Sequence, residues 1–100
     1  MNVCTISGKV ISKDGVTIRQ SKKGKIATFN LVNNDNYNPE YFNVVVFDKN
    51  VIDSIEALNR FDAVCVVGAV RNNKYTDENN VTHYTCNIVA SDIRVERSNE

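Results

Sequence analysis

The residues of this chain with chemistry to offer are mostly rings and cations. The stretch "VRNNKYTDENNVTHYTCNIVA", residues 70 to 90, sets Tyr75 and Tyr84 on either side of a polar tip, "DENN". Arg71 and Lys74 lie on the arm before the tip. In "EYFNVVVF", Tyr41, Asn43, Val45 and Phe47 share one parity, and Phe42, Val44 and Val46 share the other. A strand built that way buries one face and shows two rings on the opposite face. Every nucleobase has a π-face, so an exposed ring can stack on any sequence, and a cation beside it answers the phosphate. Arg71, Asn73 and Tyr75 likewise share parity, with Lys74 pointing the other way. Tyr84 leads the alternating series Tyr84, Cys86, Ile88, Ala90, which predicts an inward, structural ring.

Other chemistries lack their parts. The chain has one histidine, His83, and no nucleophile–base spacing, phosphate loop or paired metal carboxylates, so it does not read as an enzyme and implies no cofactor. Cys4, Cys65 and Cys86 are an odd number, lie far apart and each sits in an apolar stretch. They read as reduced cysteines used as small apolar residues, and with His83 they lack the close ligand pairs that zinc needs. No apolar run approaches a membrane span, and "MNVCTISGK" lacks the layout of a signal peptide, so a cytoplasmic, nucleoid-associated location is expected. Net charge is zero but unevenly spread. Residues 1–34 hold six cations against one anion (+5), residues 35–70 two against six (−4), and residues 71–100 four against five (−1). A neutral chain can therefore still carry a basic face.

Positioning those side chains is work for strands. "NVCTISGKVIS" alternates as a half-buried strand with Gly8 at a bulge or bend, and "DG" at 14–15 predicts a hairpin turn into "VTIRQ". A second turn, "SKKGK", leads to "IATFNLVNN", and Pro39 stands at the entrance of "EYFNVVVF". In "NVIDSIEALNR", Val51, Ile52, Ile55 and Leu58 have helical spacing, which predicts a helix of about ten residues between Asp48 and Arg60, capped by Asn50. Two long strands follow, joined at "DENN". The order is three strands (the first bent into a hairpin), a helix and two strands. It predicts an all-β, five-stranded Greek-key OB-fold barrel with one short helix between strands 3 and 4. Residues 1–97 are expected to form one domain, with 98–100 a disordered end.

"GKIATFNLVNN", "YFNVVVFDK", "VVGAVRNNKYTD" and "HYTCNIVASDI" resemble, in order and spacing, the bacterial-type single-stranded DNA-binding proteins, from about Val3 to Val95. The resemblance implies an OB-fold core, assembly into homodimers or homotetramers, and binding of single strands without marked sequence preference. It implies base-stacking roles for Tyr37, Tyr41, Phe47 and Tyr75, and backbone contacts for Lys49, Arg60, Arg71 and Lys74. With Arg19, Lys22, Lys23 and Lys25 these make the candidate nucleic-acid interface, and rings and cations in that number outweigh the usual packing role of a strand tyrosine. The exposed backbone of Asn2, Val3, Cys4, Thr5, Ile6 and Ser7 is the candidate edge for self-association. Departures are visible. The chain has no tryptophan, the loop between Asn34 and Tyr41 is short, and Phe61 stands where a glycine is usual after the helix. It stops at "VERSNE" without the family's acidic tail, as a trimmed core or tail-less relative would. The expected function is sequence-independent single-strand binding in replication, recombination and repair, with replication or repair proteins as further partners. The alternative is a tail-less replication-restart (primosomal) relative acting mainly as a protein-interaction scaffold.

Overall fold

Each stretch with a two-residue apolar period forms a strand in the computed structural model, which describes residues 1–35 and 37–96. The order is β1 (Cys4–Val10), β2 (Thr17–Ser21), β3 (Gly24–Asn33), β4 (Glu40–Val46), α1 (Lys49–Ile55), β5 (Ala63–Thr76) and β6 (Thr82–Glu96). β1 pairs with β5, β5 with β6, β6 with β4 and β4 with β3. β3 returns to β1 through Lys9–Val32 and Val10–Leu31. Those five strands close a ring, and β4 and β6 are parallel within it. The expected OB-fold is present, with α1 between the third and fourth strands of the ring. The expected disordered end, 98–100, lies outside the described residues.

The inward parity is apolar on every strand of the ring. Val10, Leu31, Val44, Val46, Val64 and Val66 are fully buried, and Ile52 and Ile55 of α1 plug one end of the barrel. Each such side chain adds roughly 1.5–3 kcal/mol of burial. Gly8 and Gly68 let backbones approach where strands change partner. A Cβ at Gly8 would run into the Val32 carbonyl oxygen, and one at Gly68 into that of Val89. Gly8 is therefore a close-approach position within an unbroken β1–β5 register, not a bulge. The irregularity lies between Val67 and Gly68, opposite β6.

Three further expectations need correction. β2 does not form a hairpin with β1, because β5 and β3 already hold β1 and β2 lies along β3 instead. The helix covers seven residues, and Leu58 is buried from the turn that follows, where its N–H donates to the Ile55 carbonyl at 3.0 Å. Its N-cap is Asp48, whose Oδ1 accepts from the N–H groups of Asn50 and Val51 at 2.8 and 3.3 Å. Asn50 is thus a recipient of the cap and not the cap.

β1 keeps an open edge, as does the terminal strand β2, which among the described residues pairs only with β3. β1 pairs with β5 from Cys4 to Lys9, while its other side meets β3 only at Lys9 and Val10. Ahead of β1, the Asn2 side chain donates to the Val70 carbonyl at 2.7 Å and accepts from the Val70 N–H at 3.0 Å, extending the ladder to β5.

Candidate nucleic-acid interface

The alternation of burial along β5 ends at Val70, and from Arg71 to Thr76 every residue is exposed. Paired with β6, that segment is a two-stranded ribbon standing out of the barrel. Register sorts its side chains, because directly opposed residues share a face. Arg71–Asn87, Asn73–Thr85 and Tyr75–His83 lie on one face. Asn72–Cys86 and Lys74–Tyr84 lie on the other, which continues the parity of the barrel interior.

The Tyr75 ring stacks on His83, with centroids 4.9 Å apart and planes 19° from parallel, and Tyr75 remains 53% exposed. Tyr84 does not hold the barrel wall. It has the inward parity but lies beyond the last buried pair and is 73% exposed. Cys86, on the same face, is likewise exposed, so it is not one of the buried small residues expected. Period reveals parity; it does not reveal where the barrel stops.

The tip that joins the arms is held by one carboxylate. Oδ1 of Asp77 accepts from the N–H groups of Asn79 and Val81 at 2.9 and 3.0 Å, and Oδ2 lies 2.7 Å from Nε2 of His83. Asn80 takes a left-handed φ of 62° in the turn, a conformation asparagine tolerates. The His83 hydrogen bond, then those from Val81 and Asn79, hold the Asp77 carboxyl below its usual range. His83 therefore stacks on Tyr75 and also ties it to the tip, a role that sequence reasoning missed. The signal was its place as the eighth residue after Tyr75, astride a turn.

The outer face of the ribbon runs on into the outer face of the barrel. Across β3, β4, β6 and β5 the register aligns Asn30, Asn43, Asn87 and Arg71 in one row. The next row inward is Thr28, Val45, Val89 and Ala69, with Thr17 of β2 added beside Thr28. Tyr41 stands one step beyond Asn43 toward the ribbon, opposite Val32 and 66% exposed. Arg19, paired with Ile26, lies on the same side toward α1. Phe47, 56% exposed, ends the outward series of β4.

The candidate residues therefore form two groups joined by one face. Tyr41, Arg71 and Tyr75 lie at the ribbon end, where Tyr37 sits in the β3–β4 loop. Arg19, Phe47 and the β2–β3 turn with Lys22 and Lys23 lie at the helix end; Lys25, on β3, has the parity of buried Ala27 and approaches Glu56 at 3.9 Å, off this line. Three further cations fall off it. Lys74 is across the ribbon, opposite Tyr84, on the side its parity against Arg71 and Tyr75 predicts. Lys49 opens α1, and the Arg60 guanidinium lies over the Phe61 ring at 4.8 Å. Phe61 has a φ of 76°, the left-handed region that favours glycine, which is why a glycine is usual at this step of the chain.

Among the described residues no three His, Cys, Asp or Glu side chains come together to hold a metal ion. No described helix is long and apolar enough to cross a membrane.

The model of the single-strand binding protein family matches residues 1–96. Curated protein sequences give no match. Among solved structures, the Plasmodium falciparum SSB in complex with ssDNA superposes with a TM-score of 0.87 at 23% identity, covering 97% of this chain and 96% of that one. The mitochondrial single-stranded DNA-binding protein Rim1 of S. cerevisiae gives 0.80 at 16% identity, with the same two coverages. At those identities the structural likeness speaks for the fold.

Proposed function

The chain belongs to the single-strand binding protein family, and on that premise we propose that it binds single-stranded DNA without sequence preference. The observation that carries the reading is the shared outer face, on which Tyr41, Arg71 and Tyr75 have the same parity at the ribbon end. A single strand lying on that face stacks bases on the rings, at about 1–3 kcal/mol per base. It would run from the ribbon toward Arg19 and Phe47, a path of about 20 Å along β4 at the usual strand rise. The cations of the β2–β3 turn then meet phosphates at the far end. Neutral overall charge is no obstacle, since the first 34 residues carry +5.

Such binding protects and organises the single strands that replication, recombination and repair expose, in the nucleoid of the cytoplasm, and replication or repair proteins are the natural partners. The open edge of β1 invites a second copy, giving a two-fold dimer, and two dimers can stack into a tetramer.

Titration of dT oligonucleotides at two salt concentrations, followed by tyrosine fluorescence, tests the proposal. Binding with quenching, and near-equal affinity for dT and dC, is expected. Weak binding without quenching would defeat it and favour a protein-binding scaffold.

A further inference from the structure

The row Asn30–Asn43–Asn87–Arg71 crosses four strands of the barrel at its lip, and neither rings nor phosphates account for its three asparagines. Asparagine is disfavoured in strands, yet three stand abreast here on the solvent side of a sheet whose neighbouring row is Thr, Val, Val and Ala. Among the described residues none of the three side-chain amides hydrogen-bonds to protein; the backbone of Asn30 is engaged, its N–H donating to the Ser12 hydroxyl at 2.6 Å and its carbonyl accepting from the Ile11 N–H at 2.9 Å. The three asparagines also line one groove of roughly 380 Å³, together with Ser12 and Thr17.

Resting on the single-strand reading above, we propose that this amide row is a base-edge subsite: it hydrogen-bonds the edges of bases lying across the sheet between the ring of Tyr41 and the β2 flap. Each amide offers both a donor and an acceptor and can turn either toward the base. Every base edge carries donors or acceptors, so the row adds affinity without reading sequence. It adds it without charge as well, in contrast to Arg71 at its end. Phosphate, which only accepts, would use half of what an amide offers, whereas a base edge uses both.

The test pairs Asn43→Ala with the near-isosteric Asn43→Leu, and repeats the measurement with Asn87→Ala on the neighbouring strand. Both sites are on the outer parity, so thermal melting should stay close to that of the wild type. Each variant is titrated with a dT oligonucleotide and with an abasic strand of equal length, at two salt concentrations. The expected result is an affinity for dT lowered about three- to tenfold, one hydrogen bond's worth, with the salt slope unchanged and no loss on the abasic strand. Recovery by leucine would mean contact area and not hydrogen bonding, and would overturn the proposal. So would an equal loss on the abasic strand, or no loss in any of the three variants. A wild-type protein that fails to bind dT at all would instead defeat the single-strand reading itself.

Discussion

Truncating Tyr75 removes a ring that is stacked on one side by His83 and still 53% exposed. Tyr75→Ala is therefore expected to lower single-strand affinity by about 1–3 kcal/mol, the usual size for one stacked base, and to leave the melting temperature nearly unchanged. An unaltered affinity for poly-dT would show that the ribbon is not a stacking platform. Tyr84 gives the contrasting case. Its alternation with Ile88 and Ala90 predicts a core ring, whose loss would cost several kcal/mol of stability. At 73% exposure it belongs instead with surface positions, and Tyr84→Ala should change folding stability by no more than about 0.5 kcal/mol, read by thermal or urea unfolding. The pair shows which part of the site the sequence made legible. Parity along β4 and β5 is written in the residues and assigned Tyr41, Phe47, Arg71 and Tyr75 to one side. Depth is not, because Val70 and Cys86 look no different in sequence from residues buried further down. Cross-strand register is not written either, which is why the stacking of His83 on Tyr75 and the alignment of three asparagines emerged only from the pairing.

Among the elements, the strands were easiest to foresee, and the misreadings concern their ends and partners. Both Asp48 and Asn50 can cap a helix, and the choice turned on where the backbone leaves β4, which side-chain type does not reveal. Asp48→Ala should cost about 1 kcal/mol of stability, whereas Asn50→Ala should cost little, since only the first removes an acceptor from two N–H groups. Equal effects in urea unfolding would contradict the cap. The tip of the β5–β6 ribbon adds a pH dependence. Asp77 is held below its ordinary value of 3.8 by hydrogen bonds from His83, Val81 and Asn79. A carboxylate depressed in the folded state contributes stability that is fully present above its unfolded pKa and is lost as pH falls through the folded one. The tip should thus stay ordered through neutral and mildly acidic solution and loosen only below about pH 4. Following the Val81 amide by NMR through an acid titration should give a midpoint under 3.8; a midpoint at or above it would mean the carboxylate is not held as described.

At the scale of the whole molecule, a chain of zero net charge has to bind a polyanion by arranging its charges, and how it assembles decides how many of them one strand can meet. If about five cations per protomer touch phosphates, log K should fall with log salt at a slope near −3.5, about −0.7 for each. Reversing the charge of Lys74 should weaken all sequences alike, though by less than reversal at Arg71, because Lys74 lies on the ribbon face away from the row that Arg71 ends. Assembly rests on β1. Its side away from β5 meets β3 only at Lys9 and Val10, so the backbone from Cys4 to Gly8 keeps one edge without a strand partner among the described residues. Such an edge is a template for another strand, and the Asn33 amide covers only one of its carbonyls, that of Ser7, at 2.7 Å. A second copy pairing antiparallel along this edge closes the contact by two-fold symmetry and uses up the free edge of β1 in both copies. It also leaves the face of Tyr41 and Arg71 uncovered, because strand pairing uses the backbone in the plane of the sheet while those side chains stand out of it. A dimer or a tetramer is therefore expected at micromolar concentration, with and without oligonucleotide, by sedimentation or native mass measurement. A monodisperse monomer that still binds poly-dT would leave the stacking face standing and remove β1 as the assembly edge.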